Sequence, residues 1–351
     1  MKRRHFLSTI AAALFACGFA TGALAQTVAE LAAYDKPDRE QKLAAGAKKE
    51  GELAIYTSAQ SDDMGALVKA FEAKYPGIKV TMWRSSSEKV LQRFVQESRG
   101  NRHAMDVAET NGPELEAMHR EKLVEKMSSP YLKDLIPQAI MPHGEWTGTR
   151  LNVFVQAYNT NLVKKADLPR KWEDLADPKW KGKLGIEQED SDWLAGQFAE
   201  LGADRATKLF KDIVDKNGVS VRKGHTLLTQ LVASGEIPLA LTVYNYKAEQ
   251  LKAKGAPIDW FHLGPAIARP NGIAVARKAP HPHAAVLFYD FEISPEGQQI
   301  LAKRDFVPTS KKVDTPLNKV PMKFVDVRVQ LDEFQKWEKL YEELFNKQKP
   351  R

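Results

Sequence analysis

Hydroxyl and amide side chains gather at three places in the first half of the chain, each directly after a short apolar run. Leu53-Ala54-Ile55-Tyr56 leads into Thr57, Ser58 and Gln60; Ile78 to Trp83 leads into Arg84, Ser85 and Ser86; Met105 to Ala108 leads into Glu109, Thr110 and Asn111. Such groups can hydrogen-bond a small polar solute, and Arg84 could grip a carboxylate or phosphate with two N–H groups. Ser and Asn also cap helices, so capping and ligand contact are two uses of the same positions. In the second half, Tyr244-Asn245-Tyr246 follows a predicted strand, and Thr226 opens a helix behind Lys223-Gly224-His225. Asp190 lies in the densest acidic run, Glu187 to Asp192. That run could hold a cation, but acids at a helix start more often complement its dipole and stay solvated, which is the expectation for Glu187 and Glu189. Trp83 and Trp193 could stack on a ligand; core packing is the weightier expectation for both.

These residues depend on the elements that carry them. Apolar runs alternating with helical patterns imply a parallel sheet flanked by helices. Turns after successive parallel strands collect along one edge, beside free helix N–H groups. A helix over 40–49 precedes the first strand. The helix after the first turn has Ser61 as its expected N-cap and Leu67, Val68 and Phe71 as its buried stripe. Ser85 and Glu88 stand at capping-box spacing before Val90, Leu91, Phe94 and Val95. Pro113 opens a helix over 114–121. Residues 150–158 read as a buried strand; 183–186, 219–221, 238–243, 258–261 and 272–275 read as shorter ones. Helical patterns cover 195–201, 205–214, 226–233, 246–253, 283–291, 296–303 and 323–345. Pro169, Pro178 and Gly182 punctuate a change of composition that separates two α/β lobes.

The ends and the composition bound the rest. Lys2-Arg3-Arg4, the apolar run from Phe6 and Ala23-Leu24-Ala25 form an export leader over 1–25, and Arg3-Arg4-His5-Phe6-Leu7 suits the twin-arginine route as well as the Sec route. The expected location is the periplasm. Cys17, the one cysteine, sits inside this leader, and bulky Phe15 makes its lipidation a poor fit. Cleavage after Ala25 leaves no thiol for disulfides, metal ligation or nucleophilic attack. The net charge of +7 is spread among interspersed signs with no polybasic block, which argues against a nucleic-acid partner. No nucleophile elbow, phosphate-cradling glycine loop or His-Glu-x-x-His spacing appears, so no catalytic residue, cofactor or enzyme activity is expected.

Three stretches carry a resemblance. They are Trp172-Glu173-Asp174-Leu175 with Pro178 and Trp180-Lys181-Gly182-Lys183-Leu184; Gly235-Glu236-Ile237-Pro238-Leu239-Ala240; and Asn271-Gly272-Ile273-Ala274-Val275 running on through Lys278-Ala279-Pro280-His281-Pro282 to Ser294-Pro295-Glu296-Gly297-Gln298. Together with Tyr75-Pro76-Gly77-Ile78-Lys79-Val80 they resemble, in order and over nearly the whole exported chain, the periplasmic solute-binding proteins of ABC importers, in the group that includes ferric-ion-binding proteins. The resemblance implies a type II periplasmic-binding-protein fold. Lobe one would run over 26–150, lobe two with the hinge strands over 151–265, and 266–351 would return to lobe one and supply the C-terminal helices. It also implies an inner-membrane permease and ATPase as partners and a monomer that closes on its ligand.

The ligand expected from these residues is a small organic anion, held by Thr57, Ser58, Gln60, Arg84, Ser85, Ser86, Thr110, Asn111, Asp190, Thr226, Tyr244, Asn245 and Tyr246. Ferric relatives place a histidine in the first turn, a glutamate after the third strand and two adjacent tyrosines in lobe two. Here those positions fall near Gln60, near Asn111 (one slip from Glu109), and on Tyr244 and Tyr246 with Asn245 between them. A trivalent ion prefers anionic oxygen, which neutral amides do not supply. Ferric binding would therefore use Tyr244, Tyr246 and Glu109, and is the weaker reading. A solute-sensing subunit would be marked by a neighbouring kinase gene in place of permease and ATPase genes, and an unrecognised hydrolase by turnover of its ligand.

Overall fold

A computed structural model describes residues 26–346; the leader expected over 1–25 lies outside the described residues. Eleven strands among them form one curled sheet: β1 (Glu52–Thr57), β2 (Lys79–Arg84), β3 (Val107–Asn111), β4 (Thr147–Asn159), β5 (Leu184–Glu187), β6 (Ser220–Arg222), β7 (Leu239–Tyr244), β8 (Ile258–Phe261), β9 (Ala266–Val275), β10 (Val307–Pro308) and β11 (Met322–Phe324). The order β2-β1-β3-β9-β4-β7-β5-β6 places the parallel trio β1–β3 at one end and the trio β5–β7 at the other. The antiparallel pair β4 and β9 joins them. Each trio with its helices is a lobe. Apolar residues such as Leu53, Ile55 and Val107 in one and Leu184, Ile186 and Leu241 in the other are buried beneath helices.

Register decides what stands at the strand ends. Thr57 pairs with Arg84 of β2 and with Glu109 of β3, so β1 and β2 end abreast and β3 runs two residues further. β4 and β9 are long because they serve both lobes: β9 pairs with β3 through Asn271–Val275, and β4 with β7 through Phe154–Tyr158. Gly272 sits at this crossing, where a Cβ would come within 2.2 Å of the Thr147 carbonyl oxygen; no larger residue fits. The sequence pattern predicts only 150–158 as the first hinge strand and only 272–275 as the second. Both extend further, over 147–159 and 266–275, because the flanking residues also find ladder partners.

Three local expectations fail. Gln60, not Ser61, is the N-cap of the helix Ser61–Lys74, without a side-chain capping bond. Ser86, not Ser85, caps Ser87–Arg99 by accepting from Lys89 N, because the Ser85 N–H continues the ladder to the Thr57 carbonyl. The single helix expected over 323–345 is broken: Met322–Phe324 pairs with β9, and Asp326 then starts a new helix by accepting from Arg328 N. The closing helices cross to the second lobe, with Trp337 on Phe198 and Phe345 beside Trp193 and Phe210. Among the described residues no helix is long and apolar enough to cross a membrane.

Candidate functional site

The three strand-end turns do converge. Thr57 Oγ1 donates to Glu109 Oε2 at 2.6 Å, and Thr110 Oγ1 donates to Ser58 Oγ at 3.0 Å. Asn111 Oδ1 accepts from Asn152 of β4 and Asn271 of β9, at 3.3 and 3.0 Å, which knits three strands at the hinge. Gln60 Nε2 reaches across to Thr226 Oγ1 at 2.6 Å, a bond between lobes. Arg84 is exposed and donates to the Ala59 carbonyl, and Ser86 is engaged in its helix cap.

Opposite this rim lies a stack of rings. Tyr244 ends β7 and Tyr246 lies in the first turn of Asn245–Ala253, yet their rings are nearly parallel, 5.9 Å apart at 14°. The strand-to-helix turn produces this: Asn245, fully buried, folds its Oδ1 back onto the Tyr246 N–H and leaves its Nδ2 without a partner. His225 stacks on Tyr244 at 3.7 Å, and Phe306 of lobe one meets Tyr246 at 4.4 Å. The Tyr244 hydroxyl accepts from Arg269 at 2.6 Å, so its own proton is available to a ligand. Burial holds both phenols above their ordinary pKa, and both are neutral at pH 7.

Charges surround this stack. Arg150 and Glu109 form a buried pair, with the guanidinium 4.7 Å above the Phe306 ring. Arg269 pairs with Asp192 at 2.7 Å. Lys247 is only 8 % exposed, rests 5.1 Å over the Tyr246 ring, and has no ion-pair partner among the described residues. Burial pushes its ammonium down to about 8; Asp63, already held by Arg304, opposes that shift, and Arg84 and Arg150 add to it. Asp190 is buried against His225 at 2.9 Å, and burial forces its carboxyl well above the usual range. Burial likewise raises Glu187 to about 7 and lowers His225 to about 4.

The acidic run therefore departs from expectation. Glu187 is buried, its oxygens taken by the Gly224 and Glu189 N–H groups; only Glu189 is solvated, paired with Lys223. Trp193 is core, packed on Trp172 and Phe210, and Trp83 rests against Tyr56. His281 and His283 bond Asp106 and Glu50. Sequence reasoning missed Lys247 and Arg269 as cleft residues. Their only local signals are that Lys247 follows the tyrosines and that Arg269-Pro270 precedes the hinge residue Asn271.

Two lobes joined by crossing strands, with polar and ring side chains of both meeting between them, have the architecture of a type II periplasmic-binding-protein clamp. Residues 110–328 match the family model for bacterial extracellular solute-binding proteins, and the chain belongs to that family, the periplasmic solute-binding components of ABC importers. It is 26% identical over 286 residues to iron uptake protein A1 of Synechocystis, covering 75% of this chain and 78% of that one. Iron-bound HitA of Pseudomonas aeruginosa superposes with a TM-score of 0.72 at 25% identity, over 84% of this chain and 99% of that one. AfuA of Actinobacillus pleuropneumoniae, solved with fructose-6-phosphate bound, gives 0.73 at 22%, over 85% and 99%.

Proposed function

We propose that this protein captures a small organic anion between its lobes and delivers it to an inner-membrane ABC permease and its ATPase, with no catalytic step of its own. The observation that carries this reading is Lys247: an almost buried ammonium with no ion-pair partner among the described residues, beside Arg84 and next to the tyrosines. A buried charge needs a partner, and a ligand carboxylate or phosphate would supply it. The donors Ser58 Oγ, Tyr244 Oη and Asn245 Nδ2 lie in the same wall and rim. Glu109, the carboxylate a ferric ion would need, is already neutralised by Arg150 and bonded by Thr57, and Arg84 and Lys247, which hold no ion pair among the described residues, oppose a trivalent ion. The phosphosugar in AfuA is an anion of the class proposed.

Ferric binding is the second reading, favoured by the parallel Tyr244 and Tyr246 rings and by the iron-binding relatives. A thermal-shift screen against carboxylates, phosphonates, sugar phosphates and ferric ion separates the two. A ligand at a hundredfold excess over Kd adds about 2.7 kcal/mol, several degrees in melting temperature. Stabilisation by ferric ion alone, with a visible tyrosinate band, overturns the organic-anion reading.

A further inference from the structure

We infer that the solute is dipolar: beside the anionic group at Lys247 it carries a protonated amine that meets Asp190 at the other end of the ring stack. This rests on the anion reading above and adds a second charge to the ligand. Glu114, Asp190 and Asp192 interact with a single guanidinium, Arg269, and Glu187 with Asp190; burial holds the carboxyls of Glu114, Glu187 and Asp190 above the usual range. Asp192 uses that guanidinium, and Glu187 takes two backbone N–H groups. Asp190 remains. It is 2 % exposed, its Oδ1 faces His225 Nε2, and its Oδ2 has no hydrogen-bond partner among the described residues; burial raises its carboxyl, and the nearby Thr242 hydroxyl opposes that shift. His225 Nδ1 is likewise without a partner among the described residues, while Nε2 and Asp190 Oδ1 share one hydrogen bond whose donor depends on the histidine tautomer.

Two buried polar atoms without partners among the described residues, Asp190 Oδ2 and His225 Nδ1, in a cluster of acidic groups with one guanidinium, are matched by a group that brings several N–H bonds and a positive charge. An ammonium does both. The stack Phe306–Tyr246–Tyr244–His225, with spacings of 4.4, 5.9 and 3.7 Å, links the Lys247 end to the Asp190 end and offers ring surface to a short methylene linker. The ligand atoms of Glu187, Asp190 and His225 also lie within 4.8 Å of one another, so a divalent metal is the competing occupant.

Isothermal titration with matched pairs decides: butyrate against γ-aminobutyrate, and propylphosphonate against aminopropylphosphonate. Each aminated member is expected to bind at least tenfold tighter. Asp190→Asn, and independently His225→Phe, which keeps the stack, should bring the affinity ratio within each pair close to one, with the circular-dichroism spectrum of each variant reporting an intact fold. Equal affinity within both pairs overturns the dipolar inference alone. If no anion of either pair binds, the anion reading itself falls and takes this inference with it. Zinc chloride that binds the wild type but not Asp190→Asn makes the cluster a metal site and overturns the inference.

Discussion

Replacing Lys247 with Met tests the site through two effects of opposite sign. Met keeps the stem that lies on the Tyr246 ring and removes the ammonium. In the ligand-free protein that ammonium is nearly buried and unpaired, and its pKa falls from 10.5 to about 8. At 1.36 kcal/mol per unit, holding the proton at pH 7 costs the fold about 3 kcal/mol. Lys247→Met should therefore be more stable than wild type without ligand, by up to about 3 kcal/mol in urea unfolding at pH 7. The gap has a defined pH dependence. Between about pH 8 and 10.5 the unfolded chain still holds a proton that the folded chain has lost, so wild type gains stability relative to the variant and the gap closes. Ligand binding should move the other way, since a charge-assisted hydrogen bond is worth about 2 kcal/mol, about thirtyfold in Kd. A variant that is less stable than wild type at pH 7 without ligand, or that binds the best anion of the screen unchanged, would refute the assignment of Lys247 as the anion's partner.

Other perturbations address neighbouring groups. Arg150→Met leaves Glu109 charged, buried and unpaired, and should lose about 3–5 kcal/mol in chemical denaturation; adding Glu109→Gln should restore much of it, and an additive double mutant would deny the coupling. Gln60→Ala removes the hydrogen bond to Thr226, worth about 1 kcal/mol, and should weaken ligand affinity about fivefold by destabilising closure; unchanged titration curves would show that the bond does not latch the lobes. Carboxyls raised by burial, Glu187 and Glu114 to about 7 and Glu292 to about 8, keep protons in the fold that the unfolded chain releases near pH 4.5. Unfolding free energy of the ligand-free protein should consequently fall from pH 5 to pH 8, and a flat or rising curve contradicts their burial as carboxylic acids.

Much of the architecture is legible in the sequence because it rests on local signals. Apolar runs ending in Thr57-Ser58, Arg84-Ser85 and Thr110-Asn111 mark strand ends, and parallel pairing then obliges those ends to line up, as the Thr57–Arg84 and Thr57–Glu109 registers do. Sheet geometry does that without knowledge of any partner, so the lobe-one rim can be named residue by residue. Cap identities are harder: Ser61 and Ser85 have the right chemistry, but the strand before each helix runs one residue further or turns differently.

What the chain does not reveal locally is which charges end up without water. Glu187 looks the same in sequence as Glu189, yet one is buried beside Asp190 and the other is solvated on Lys223, because only the packing of β5 against β7 and the closing helices covers the first. Lys247 and Arg269 are ordinary cations in sequence; only the tertiary packing leaves one without an ion-pair partner among the described residues over Tyr246 and, through β9, ties the other to Asp192 and Tyr244 of lobe two. Side-chain type and spacing set the strands and their polar ends, while burial, and with it the electrostatic character of the cleft, arises from contacts between segments far apart in the chain, in a medium where the missing water decides each charge's state.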